Sequence, residues 1–358
     1  MRILFVISDW AMNADIFLDD CYTDRRGMTG SETSIVEIAK SLSKEHHVGL
    51  VGKFACANGM WGDVHVGSSL LNESWDIAIA WIDPTTLRNV DAKLKVFNQQ
   101  VNDFHYCQGW ESYIDVITSP SNNHRDNLSK QTQFDKSKWI VCPNGFNENV
   151  YKFHNGVRPN KQLVYASSPD RGLHWLLEMM PRIRQEVSDV ELHIFYNWKN
   201  FYESQKHNEN EIACRLRYCH SMMERMKGFV HHHQSTSKLE LSNWLSSSRV
   251  LAYPCDPVNY TEGFSVTTLE AAASGCVPVI CGSDALQEIY GPHVPTVSKA
   301  PYKSNKEEYY RNLKTMLTND ESYVDAQIKS HSMVDDYRWD KISEKLINDL
   351  NSYFVLKL

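Results

Sequence analysis

Glu262 and Glu270, separated by seven residues, stand in the stretch of the chain richest in chemical potential, Tyr253 to Ile280. The pattern predicts a strand ending at Tyr253, then a loop that carries Glu262 and Gly263, then a helix starting near Val266 and running from Thr267 to Ser274. The first backbone N–H groups of a helix lack partners inside it. With the helix dipole they form a ready site for a diphosphate. Gly263, lacking a Cβ, lets the backbone approach such a ligand closely. Glu262 precedes the helix and Glu270 lies within it, so the two carboxylates can reach opposite ends of one ligand. Each is a natural acceptor for a sugar or ribose hydroxyl.

Three further stretches carry polar groups in loop positions. Tyr165-Ala-Ser-Ser-Pro-Asp-Arg-Gly-Leu173 joins an expected strand, Gln162 to Ala166, to an expected helix, His174 to Val187. Its Arg171 can grip a phosphate with two parallel hydrogen bonds, with Ser168 nearby. Met28-Thr29-Gly30-Ser31-Glu32 lies between the first strand and the first helix, with Ser31 placed to cap that helix. Cys142-Pro-Asn-Gly-Phe-Asn147 is a turn near the middle of the chain.

Together these motifs resemble the E-x7-E group of retaining GT-B glycosyltransferases, family-four-like. Glu262 and Glu270 match its two acids. Gly263-Phe264-Ser265 after the first acid, Leu-Glu-Ala around the second and the following Gly-x-x-Pro-Val match as well. The resemblance implies that Glu262 contacts the donor sugar near the reacting centre and that Glu270 holds the ribose hydroxyls. Arg171, Ser168 and the amides of Gly263, Phe264, Ser265 and Val266 would then hold the diphosphate. Arg171 stands where the family most often has Lys, and Ser167 and Ser168 where it often has another Arg. Gly30 is the one glycine present of a pair usual in the family's first turn. The family commonly places a His at a strand end in the first domain. The matching region here reads Phe97-Asn-Gln-Gln-Val-Asn-Asp103. Either Gln99 or Gln100 takes the place of that His as a binder, or His105 reaches in as a catalytic group. Asp83, before Pro84, is a further candidate on the acceptor side, or a simple helix cap.

The elements that must position these residues alternate along the chain. Arg2 to Ser8, His47 to Val51, Trp75 to Ile82, Leu94 to Asn98 and Tyr113 to Thr118 read as strands. Ile35, Ile38, Ala39 and Leu42 recur at helical spacing. A second series follows, with strands at Val190 to Tyr196, Arg249 to Tyr253 and Val277 to Cys281. Such alternation argues for α/β architecture with parallel sheets. The resemblance implies a GT-B fold, two Rossmann-like domains facing each other across a cleft. Residues 1–150 would form the acceptor domain and 151–335 the nucleotide-sugar domain. Residues 336–358, with Ile342, Leu346, Ile347 and Leu350 at helical spacing, would form a helix returning to the first domain.

Bulk properties narrow the function. The 358 residues exceed one usual core, and 42% hydrophobic with 23% charged residues is ordinary for a globular chain. A net charge of -7 disfavours nucleic acid as partner and requires any anionic ligand to be held locally. The nine cysteines are scattered without a CxxC pair, which reads as reduced thiols. The run His231-His232-His233 reads as a polar loop with no carboxylate or cysteine cluster beside it, so no metal is expected. The apolar runs fall far short of the ~20 residues of a membrane span, which gives a cytoplasmic expectation with peripheral membrane contact open. Within these limits the resemblance implies a retaining, metal-independent hexosyl- or pentosyltransferase of glycan or glycoconjugate synthesis. It would use a UDP- or GDP-sugar as co-substrate, need no cofactor, and act on a glycan, lipid-linked or protein-linked acceptor. The alternatives are a non-catalytic GT-B sugar- or nucleotide-binding protein and another GT-B enzyme such as an epimerase.

Overall fold

The structure is a computed structural model, and it describes residues 1–12, 15–25, 27–104, 109–205, 207–298 and 302–355. It divides into two compact units. One holds residues 1–22, 28–147 and 336–358, the other residues 23–27 and 148–335.

The first unit runs through β1 (Arg2–Ile7), β2 (Ile16–Phe17), α1 (Gly30–Leu42), β3 (His47–Val51), β4 (Phe54–Ala55), β5 (Met60–Trp61) and β6 (Val64–Val66). It continues through β7 (Ser74–Trp81), β8 (Asp91–Asn98), β9 (Val116–Ser119), α2 (Asn122–Leu128) and β10 (Trp139–Val141). Its main sheet has the order β10-β9-β8-β7-β1-β3-β6-β5, parallel except for the edge pair β5–β6. The unbroken apolar run of β1 is explained by burial on both faces. Ile3, Phe5 and Ile7 enter one core cluster, while Leu4 and Val6 enter another. The first cluster also takes up Ile35, Val36, Ile38, Ala39 and Leu42 of α1.

Two local expectations change. Thr29, not Ser31, caps α1: its side chain accepts from Glu32 N at 3.2 Å, and the Glu32 carboxylate accepts from Thr29 N at 2.8 Å. This reciprocal pair satisfies two of the orphan N–H groups. Ser31 instead accepts from the buried Trp81 indole at 3.1 Å. The strand expected from Tyr113 begins only at Val116, because Trp110–Ser112 forms a 3-10 turn that buries Trp110.

The second unit follows with β11 (Gln162–Tyr165), α3 (Leu173–Glu186), β12 (Glu191–Ile194), α4 (Trp198–Gln205), α5 (Glu211–Arg225) and β13 (Val230–His232). Then come α6 (Lys238–Ser247), β14 (Val250–Tyr253), α7 (Val266–Ser274), β15 (Val277–Gly282), α8 (Leu286–Ile289), β16 (Thr296–Ser298), α9 (Tyr302–Thr318) and α10 (Asp320–His331). Its sheet is wholly parallel, in the order β13-β12-β11-β14-β15-β16. The histidine run expected in a loop supplies the edge strand β13. The chain closes with α11 (Trp339–Val355), which belongs to the first unit, where Trp339, Ile342, Leu346, Ile347 and Leu350 join the cluster of α1. Among the described residues no helix is long and apolar enough to cross a membrane.

Candidate functional site

In an all-parallel sheet, loops at the carboxyl ends of the strands are where ligands bind. Two such loops meet in the second unit. The loop after β11 carries Ser167, Ser168 and Arg171, and ends in Gly172, whose φ of 102° precedes α3. A Cβ at Gly172 would lie 2.0 Å from the Pro254 carbonyl oxygen, so only glycine lets the two loops touch. The loop after β14 carries Glu262 and ends at Ser265, which holds a left-handed φ of 69° before α7. Asp284 anchors this loop by accepting from Thr261 N and Glu262 N at 2.9 and 3.1 Å, and the Tyr290 hydroxyl donates to the Ser265 carbonyl at 2.9 Å.

No side chain caps α3 or α7. Helices α1, α2, α5, α6 and α10 all start on a side-chain cap. Beside the uncapped starts, Arg171 Nη1 lies 3.3 Å from Glu262 Oε2, and the Tyr253 hydroxyl donates to that same oxygen. Burial works against the Arg171 charge, but Glu262, with Tyr253, Asp170 and Cys255, outweighs it and raises the guanidinium pKa. Burial, then Cys255 and Glu262, pushes the Tyr253 phenol well up, which keeps it a donor. The arrangement presents a fixed cation, a buried carboxylate and two positive helix ends.

Glu270, in the second turn of α7, is 1% exposed. Its Oε1 accepts from Lys238 Nζ at 2.7 Å, while its Oε2 is buried with no hydrogen-bond partner. A buried carboxylate oxygen left empty is costly and marks a place where a donor belongs. Lys238 was not singled out in the sequence. It is the first residue of α6, between Ser237 and Glu240 of that helix's capping box. A lysine there opposes the helix dipole, so its burial calls for a local anion. That mismatch is the sequence signal that could have found it.

Residues 160–319 match the family model described as glycosyl transferases group 1. This part of the chain is similar to the glycosyl transferases of group 1. The chain as a whole has the GT-B fold, as its similarity to solved structures shows. HepE of Anabaena, solved with UDP and glucose, is 14% identical with a TM-score of 0.68, over 98% of this chain and 100% of that one. Sucrose-phosphate synthase from Thermosynechococcus elongatus is 11% identical with a TM-score of 0.70, over 99% and 100%. AviGT4, a glycosyltransferase involved in avilamycin A biosynthesis, is 13% identical with a TM-score of 0.70, over 99% and 98%. No curated protein matches the chain by sequence.

The second unit thus gathers Arg171, Glu262, Gly263, Phe264, Ser265 and Val266 on two touching loops. Ser168 hydrogen-bonds Asp170 and its carbonyl accepts from Arg171 N at 3.1 Å, so it shapes the Arg171 loop. Phe264 is buried, edge-on to Tyr290. Arg215 of α5, also not singled out in the sequence, braces both loops: it donates to the carbonyls of Asp170, at 3.2 Å, and Asp256.

The residues named in the first unit are spent on local structure. Gln99 is fully buried and holds its own loop, donating to the Asp103 carbonyl at 2.8 Å and accepting from Val101 N at 3.2 Å. Gln100 donates to Asn98 at 2.8 Å and accepts from Asn144 at 3.1 Å. Gln99 is engaged because the strand end leaves backbone groups that need partners, and Gln100 because two asparagine side chains hold both ends of its amide. Asp83 is the cap of the 3-10 helix Pro84–Leu87 and accepts from the Trp10 indole at 2.9 Å. Gly30 is the first residue of α1, directly after its Thr29 cap. His105 lies outside the described residues.

Proposed function

We propose that the chain moves a glycosyl group from a nucleotide-diphosphate sugar to an acceptor hydroxyl with retention of configuration. The observation that carries this reading is the line of unmatched groups in the second unit. The empty Oε2 of Glu270 lies in the second turn of α7, and the uncapped start of α7, with Arg171 and Glu262, one turn earlier. A ribose hydroxyl fits the first and a diphosphate the second. Arg171 and the N–H groups of α3 and α7 stabilise the charge that grows on the departing diphosphate. These groups do by fixed dipoles and one guanidinium what a divalent cation would do. Glu262, held by Tyr253 and Arg171, faces the sugar end. HepE holds UDP and glucose, which makes UDP-glucose the first donor to assay.

The test is Glu262→Gln, which keeps the shape and removes the charge. It binds the free nucleoside diphosphate nearly as tightly as the unaltered chain, measured by calorimetry. Its turnover, by donor hydrolysis or transfer, drops much further, because an interaction made mainly in the transition state lowers kcat. Normal turnover in Glu262→Gln with a dead Glu270→Gln would reverse the roles of the two acids. Full activity in both would favour a binding protein over an enzyme.

A further inference from the structure

A second cluster lies on the edge of the same sheet, away from the carboxyl-end loops. Strands β12 and β13 pair in register, His193 opposite His231. Residues two apart on a strand share a face. Glu191 and His193 therefore face the same way as His231 and His233, while His232 turns to the other side and bonds the Tyr196 carbonyl at 3.1 Å. His193 Nε2 is buried without a hydrogen-bond partner. It lies 3.3 Å from Glu191 Oε2, and His231 Nε2 lies 3.8 Å from Glu191 Oε1. One ligand atom from each of Glu191, His193 and His231 falls within 4.8 Å of the others.

We propose that Glu191, His193 and His231 bind a divalent transition-metal ion, Zn²⁺ or a chemically similar one, with a fourth position open to water. Two imidazoles and a carboxylate suit such an ion better than Mg²⁺ or Ca²⁺, which favour all-oxygen sites. The surroundings fit a built site. His193 Nδ1 is 2.9 Å from His233 Nε2, a contact that fixes the ring and aims Nε2 at the cluster. Trp244 packs on His193 and His233 with ring centres 4.4 and 4.9 Å away, and Phe195 stacks on His233 at 4.6 Å. Glu191 and His231 are half-exposed, at 41% and 36% of their side chains, so an ion can enter from solvent. The His231 run alone carries no such signal, because its partners lie on a strand some forty residues earlier and meet it only through sheet pairing.

The experiment uses the full-length, untagged chain, stripped with a chelator and titrated with Zn²⁺ by calorimetry. One equivalent binds, an excess of Mg²⁺ does not displace it, and Co²⁺ in its place gives visible d–d bands. Glu191→Gln and His231→Ala, both at half-exposed positions, each weaken Zn²⁺ at least tenfold, with unchanged circular dichroism showing that they fold. His220→Ala, an exposed histidine outside the cluster, leaves affinity unchanged. Absence of stoichiometric Zn²⁺ binding would overturn the proposal, and so would binding that Glu191→Gln and His231→Ala leave intact. The readout is binding, so it stands whatever the outcome of the transfer assays.

Discussion

Lys238 and Glu270 form a buried pair in which each residue does a different job. Lys238 is 7% exposed and Glu270 1%, so both have lost most of their water. Breaking such a pair by removing one partner strands a charge, at a cost of roughly 3–5 kcal/mol. Lys238→Met is therefore expected to lower unfolding stability by that order, read as a shift in denaturant midpoint. Glu270→Gln keeps the volume and loses the charge that the proposed mechanism offers to the ribose. A hydrogen bond to a charged group contributes about 1.5–3 kcal/mol, so calorimetry should find nucleotide affinity reduced by that amount. Unchanged affinity would remove Glu270 from the site. Arg171 and Glu262 were legible in the sequence because each sits in a short loop motif of fixed spacing. Lys238 was not, because its partner is thirty-two residues away and the two meet only where α6 packs on α7.

At the scale of elements, the absence of caps on α3 and α7 is produced by two residues in left-handed backbone. Ser265 does so against its side-chain preference, a local strain of about 1–3 kcal/mol. Gly172 does so freely, and its missing Cβ also lets the two loops touch. Gly172→Ala adds a methyl where the Pro254 carbonyl already sits. The expected result is a stability loss of roughly 1–3 kcal/mol from overpacking. A larger proportional loss of donor binding should accompany it, since the Arg171 loop must move. Unaltered nucleotide affinity in a folded Gly172→Ala protein would show that the spacing of these loops is not critical. The sequence placed α7 correctly to within one residue because its apolar face repeats at helical period. It misplaced the cap of α1, where Thr29, Ser31 and Glu32 all offer plausible side chains and only geometry chooses among them.

For the molecule as a whole, buried neutral histidines predict sensitivity to acid. Burial lowers the pKa of His124 from 6.5 to about 4. Burial, helped by Arg215, does the same for His174. Between these values the unfolded chain binds protons that the folded one refuses, so stability falls as pH drops from about 6.5 toward 4, by up to about 1.4 kcal/mol per pH unit for each group. Denaturant midpoints at pH 7.5 and pH 5 should differ accordingly, and His124→Asn should flatten the slope. Identical midpoints would contradict this. Chelation bears on the chain in two separate ways. In the proposed mechanism Arg171 and two helix ends carry the charge of the leaving group, so glycosyl transfer should survive EDTA. Complete loss in chelator, restored by Mn²⁺ or Mg²⁺, would defeat the proposed mechanism, while loss of Zn²⁺ from the β12–β13 edge is expected to affect thermal stability alone.

By itself the amino-acid sequence determined the α/β class, the central strands and the loop motifs around Arg171 and Glu262. Those features are written in periodicity and in spacings of a few residues, which the backbone converts into structure with little freedom. What it could not determine is which distant side chains meet. Glu191 joins His231 only because β12 and β13 pair in one register out of several. Gln99 and Gln100 looked like free amides until the loop folded around them and used both ends of each. Sheet pairing and helix packing bring together residues far apart in the chain, and the free energy that selects one arrangement is a property of the packed whole.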